Sequence, residues 1–282
     1  MTAVENTMIA GPAGRLAVRA KGLAAKPAQI VILVQGANVS GQTGYDFSFP
    51  GGEDYSTMDA MVAAGYGAVT FAVRGYYLSD VPDQPLDVDT DAAITDLSAV
   101  TDWCQARGWP RPHVLGWSWG GRIVGRFTEQ FPDRVARLIL LDPALGGGDK
   151  IPPVPTEPWR ANTIADYLKR MAPEHTDEDA RQAFAKQVVA DDPRAPNGII
   201  KENAVGSRAV DPTRITRPTL MLYGADAGKQ NYMQGSEPRG AFFDRLATAQ
   251  RSLVIVPGGG DYAHIQRPRR LCHRAMADFL SA

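Results

Sequence analysis

The run Gly116-Trp117-Ser118-Trp119-Gly120-Gly121 constrains this chain more than any other feature. It follows the apolar run Val114 to Trp117, which reads as a buried strand, and precedes a helical run from Ile123 to Phe131. A G-x-S-x-G segment between strand and helix reverses the chain within a few residues. The glycines let the two elements pass closely, and the serine takes a strained backbone that thrusts its hydroxyl outward. A glycine-rich turn with an incidental serine is the bland alternative, and the flanking strand and helix weigh against it. Ser118 is the candidate nucleophile.

A serine hydroxyl needs a base, usually a histidine held by a carboxylate. Four histidines are present. His113 precedes the nucleophile strand at its amino end, His175 lies in a later irregular interval, and His273 falls inside the final helical run, Arg267 to Leu280. His264 follows the last strand run, Leu253 to Val256, and is expected to swing over Ser118; a purely structural histidine is the alternative. For the acid, Asp226 follows the strand run Thr219 to Tyr223, and Asp142 follows Leu138 to Leu141 as its rival. Either carboxylate could instead cap a helix or bind loop amides. The oxyanion formed on attack needs fixed donors. The backbone amides of Trp119 and of Ala37, in the loop after strand Ile30 to Val34, are the candidates.

These strand runs, with Ala68 to Val73, alternate with helical periods such as Thr90 to Arg107, where Ile94, Leu97, Thr101 and Cys104 make one stripe. The expected fold is α/β: a mostly parallel central sheet with helices on both faces, and ligands at the strands' carboxyl ends. The alternation fails from Gly146 to Pro218, which contains the run Gly146-Gly147-Gly148, a proline-rich stretch from Pro152 to Pro158, and a helix beginning near Thr176 with Asp179 as a capping-box variant. Residues 146–216 are read as an inserted helical cap on a core of 1–145 and 217–282. Trp159 and Tyr167 of this cap, with Gln35 and Trp117, are candidate pocket residues, the alternative being that the aromatics pack the cap itself.

Two further segments carry a resemblance. Arg74-Gly75-Tyr76-Tyr77-Leu78-Ser79-Asp80 looks like an R-G-Y-G-x-S segment, and Phe131-Pro132-Asp133-Arg134-Val135 followed by Leu138 to Pro143 looks like a post-nucleophile signature. With the Ser118 turn and the chain order Ser118, Asp226, His264, the chain resembles the α/β-hydrolase superfamily, in its capped esterase and prolyl-iminopeptidase-like branch, over nearly its whole length. The departures are Gln35-Gly36 for a usual His-Gly, Ala72 for an aspartate and Tyr77 for a glycine. The family's acid would fall at Ala227, one residue after Asp226, and its catalytic histidine at Asp261 or Tyr262, with His264 matching a second, downstream histidine of some members. The resemblance implies a serine hydrolase that cleaves a small or medium carboxylic ester or lactone through an acyl-enzyme. Amide, peptide or carbon-carbon bond hydrolysis, and a non-catalytic ligand-binding protein, are the alternatives.

Composition narrows the partners. A net charge of -1 over 282 residues gives no field for nucleic acid or an anionic membrane, so a small-molecule substrate is expected, and a homo-oligomer stays open. Cys104 and Cys272 make neither a disulfide framework nor a zinc site, the first residues lack a secretory pattern, and no apolar run reaches the ~20 residues that cross a bilayer. A cytoplasmic location is expected. No cofactor or metal is expected: no P-loop and no H-E-x-x-H occurs, and Gly258 to Ala263 lacks the strand that would complete a nucleotide-binding unit. Dehalogenase and epoxide-hydrolase chemistry would need an aspartate at position 118.

Overall fold

The structure, a computed structural model, describes residues 3–146, 153–227 and 239–282. The expected Gly147-Gly148 and Pro152 punctuation lies outside the described residues.

Six strands run parallel: β3 (Ile30–Val34), β4 (Gly67–Phe71), β5 (His113–Trp117), β6 (Leu138–Leu141), β9 (Thr219–Gly224) and β10 (Arg251–Val256). Before them β1 (Val4–Gly11) and β2 (Gly14–Lys21) form an antiparallel hairpin that joins the edge of β4, giving the order β1-β2-β4-β3-β5-β6-β9-β10. The parallel strands were legible because both of their faces are covered, which makes them nearly continuous apolar runs. Ile32 and Val34 face one core cluster with Leu97 and Ile123, and Val31 and Leu33 face the other with Met58 and Met276.

The helices complete two layers. α1 (Gly41–Tyr45), α2 (Thr57–Ala63) and α9 (Arg269–Ser281) contribute to the second cluster, whereas α3 (Thr90–Ala106) and α4 (Trp119–Gln130) serve the first. The predicted α3 stripe of Ile94, Leu97, Thr101 and Cys104 is buried, and Asp89 caps the helix by accepting the Ala92 amide at 2.9 Å. α8 (Arg239–Asp244) precedes β10.

The interval between β6 and β9 adds nothing to the main sheet. β7 (Trp159–Ala161) and β8 (Arg194–Pro196) pair with each other, and α5 (Ile164–Arg170), α6 (Glu178–Asp191) and α7 (Gly198–Val205) surround them. Phe184 of α6 lies 5.1 Å from Phe47 and 6.0 Å from Tyr262, ring centre to ring centre, so the insertion shares the core's second cluster. The expected capping box at Thr176 does not form. Asp177 is the N-cap residue, and its carboxylate accepts from the Tyr55 hydroxyl and from Arg267, both at 2.9 Å, instead of from its own helix.

Candidate functional site

In the sheet, Val34 of β3 pairs with Gly116 of β5, so the loops leaving these strands start side by side. That is where strand order reverses direction, the place an open α/β sheet leaves a crevice. Ser118 sits here with φ 54° and ψ -117°, a conformation costly for a residue with a Cβ. It is held there: its amide donates to Leu141 O at 3.0 Å and its carbonyl accepts from Gly121 and Ala144. The glycines are required by contact. A Cβ on Gly116 would stand 2.1 Å from Gly120 O, and one on Gly120 would stand 2.2 Å from Val34 O. Ser118 is half-buried, and among the described residues its hydroxyl has no hydrogen-bond partner.

The two backbone amides expected to receive an oxyanion lie on neighbouring segments. Among the described residues, neither the Trp119 nor the Ala37 amide has an acceptor. A Cβ on Gly36 would lie 3.6 Å from the Ser118 Cβ, so the loop carrying Ala37 passes close to the serine. Gln35 is buried beside Ala37; its Oε1 accepts the Val73 amide at 2.9 Å and its Nε2 is unpartnered. The side chain thus ties the loop to the segment after β4. Trp117 turns away from Ser118 into the second cluster and donates its indole N–H to Asp261 O at 2.8 Å.

The expected triad is not drawn together. His264 lies in a 3-10 turn, fully buried, with its ring 4.8 Å from Trp117 and 5.6 Å from Tyr45, and neither ring nitrogen is hydrogen-bonded. Burial, with the neighbouring His273, pushes its imidazole down to about 3, against a backbone group of Gly44 that raises it. Asp226 does not orient it. The tight turn Gly224–Ala227 aims Asp226 at the loop after β10, where its Oδ2 is 3.7 Å from His175 Nε2, while His175 Nδ1 faces Gly258 O at 3.1 Å. The rival Asp142, at φ 38°, accepts the Gly224 amide at 3.2 Å and so closes a loop between β6 and β9. His113 begins β5, as expected, and burial holds it down at about 4. His273 is more enclosed than a surface position, meeting Thr57 Oγ1 at 3.2 Å.

From the insertion, Tyr167 is fully buried, 6.0 Å from the Phe184 ring, with its hydroxyl 3.4 Å from Asn38 O. Trp159 is half-buried beneath Arg194, whose guanidinium stands 4.1 Å from the ring. Sequence reasoning missed the residues that meet the serine's neighbouring loop: Arg160, Asn162 and Asp192 from the insertion, and Tyr76 from the core. Asp192 is buried and accepts the Ser40 amide at 2.8 Å and the Tyr77 amide at 2.9 Å; desolvation lifts its carboxyl to about 6. The left-handed Tyr77, φ 47°, was a visible signal, since it stands where the resembled segment carries glycine. Among the described residues no cluster has the makings of a metal site. Among them, too, no helix is long and apolar enough to cross a membrane.

A family model described as the alpha/beta hydrolase family matches residues 31–274. The chain belongs to the alpha/beta hydrolase family. A relative from Dechloromonas aromatica (strain RCB), 2-hydroxy-6-oxononadienedioate/2-hydroxy-6-oxononatrienedioate hydrolase 1, is 27% identical over 60% of this chain, which spans 63% of that relative's length. The Escherichia coli (strain K12) hydrolase of the same description is 32% identical over 46% of this chain and 41% of its own. Among solved structures, the enol-lactonase from Burkholderia xenovorans LB400 superimposes with a TM-score of 0.72 at 17% identity, covering 98% of this chain and 100% of that one. This alpha/beta hydrolase therefore shares its fold with a lactone-cleaving member, while its sequence is nearer to members named for hydrolysing oxo-dienedioates.

Proposed function

We propose that this chain is a hydrolase that attacks a carbonyl carbon with Ser118 and cleaves the adjoining carbon-carbon bond of a small enolic oxo-acid. The observation that carries the reading is the strained, half-buried Ser118 beside the acceptor-free amides of Ala37 and Trp119. The names of the sequence relatives supply the bond class. Ser118 Oγ adds to the carbonyl, the oxyanion takes the two amides, and the carbon-carbon bond breaks with its electron pair leaving on an enolate carbon. The serine proton ends on that carbon, and water then releases the acyl group as a carboxylic acid.

His264 makes no hydrogen bond to Ser118, which favours a substrate whose own enol or carboxylate can carry protons. An ester or lactone reaction uses the same serine and is the second substrate class. A fluorophosphonate probe with a substrate panel tests the reading: Ser118 labels, and 2-hydroxy-6-oxo-dienoates turn over faster than esters or enol-lactones. A chain that labels but prefers esters moves the bond class. A chain that neither labels nor turns over is a ligand-binding protein.

A further inference from the structure

The loop after β3 is fixed largely from outside the core. The Ala37 carbonyl accepts from the Tyr76 hydroxyl at 2.6 Å and from the guanidinium of Arg160, a residue of β7. Arg160 also donates to Asn38 Oδ1 at 2.8 Å, and to the Pro196 carbonyl of β8. The next carbonyl, Asn38 O, accepts Asn162 Nδ2 at 2.8 Å, and the Ser40 amide is taken by Asp192. Two donors on one carbonyl oxygen fill both of its lone pairs, so the Ala37–Asn38 peptide is fixed in orientation. Because that peptide is planar and trans, the Asn38 N–H points opposite to Arg160. Among the described residues this amide, like that of Ala37, has no acceptor.

We infer that Arg160 is a positioning residue for catalysis: through the Ala37 carbonyl it fixes the loop that presents the Ala37 amide to the oxyanion, so the insertion supplies part of the chemistry. Tyr76 is the core's partner in this task. Burial holds its hydroxyl up at about 12, which keeps it a donor throughout the working range. The inference rests on the hydrolase reading of Ser118.

The test measures fluorophosphonate labelling rate, kcat, KM and melting temperature for the full chain and for Arg160→Gln, Arg160→Lys and Tyr76→Phe. Arg160→Gln is expected to lower labelling rate and kcat about tenfold or more, as loss of an oxyanion donor does, with KM changed by less than roughly threefold. Arg160→Lys, or added guanidinium with Arg160→Gln, restores part of the loss. Should Arg160→Gln fail to fold, Tyr76→Phe carries the same split between kcat and KM. Normal labelling and kcat with a lowered melting temperature would show a mere staple and overturn the inference, as would a rise in KM alone. A wild-type chain that neither labels nor turns over overturns the hydrolase reading as well, whereas a reactive wild type beside an equally reactive Arg160→Gln overturns only this inference.

Discussion

Asp226 Oδ2 stands 3.7 Å from Nε2 of His175, so the carboxylate that chain order offers to the catalytic base is engaged by the insertion instead. His175 faces the Gly258 carbonyl with its other nitrogen, which joins the insertion to the loops after β9 and β10.

Replacing that carboxylate should therefore be mild. Asp226→Asn is expected to lower kcat by less than about tenfold, with His175→Asn giving a similar result. A fall of roughly 10^4, the size seen when the carboxylate of a working triad is lost, would return Asp226 to the base. Steady-state kinetics on both variants decides it.

Ser118→Ala should abolish both labelling and turnover, by a factor on the order of 10^6 in kcat where a serine is the nucleophile. The melting temperature should barely move, because the Ser118 hydroxyl makes no hydrogen bond among the described residues. Residual turnover near the wild-type rate would remove the serine mechanism.

Tyr167→Ala should cost about 3–5 kcal/mol of stability, the usual price of deleting a buried ring, and leave the order of preference among substrates unchanged. Trp159→Ala, half-buried under Arg194, should cost about 1 kcal/mol. Melting curves recorded alongside a substrate series separate packing from recognition; a reordered preference for Tyr167→Ala would restore it to the pocket.

Asp192 sets a pH dependence. Its carboxyl is lifted from 3.8 to about 6 by burial, opposed by the Ser40 and Tyr77 amides, with Asp191 adding to the rise. Tyr76 and Tyr167 lie close enough to feel its charge, and Arg160 acts on the same two tyrosines. The folded state therefore binds the proton more tightly than the unfolded one between those values. The contribution is full below about pH 4, declines as pH rises to about 6, and is constant above. Relative to Asp192→Asn, wild-type stability should fall across that window in denaturant titrations; a flat difference would refute it.

The six parallel strands and the Ser118 turn could be read from the chain because each is local: an apolar run, or a serine between glycines. The β1–β2 hairpin escaped notice because it lies at the sheet edge, and the β1 strand is mostly exposed or half-exposed and mixes polar with apolar residues. β7 and β8 are three residues each, and Pro196 ends the second, so neither carries a strand pattern. His264 was singled out by elimination, yet its surroundings, Tyr45 and Trp117, come from distant parts of the chain and turn it into a core residue. Arg160 and the Ala37 carbonyl are 123 positions apart, and no periodicity links an arginine to a carbonyl across that distance.

The dependence of residues 37–40 on the insertion bears on how such chains can be recombined. A chimera that grafts a relative's insertion onto this core would change the donors on Ala37 O and Asn38 O, so the fixing of that loop would travel with the insertion. Productive exchange would have to carry Arg160, Asn162 and Asp192 as a unit, matched to Tyr76 and the Ala37 loop of the recipient.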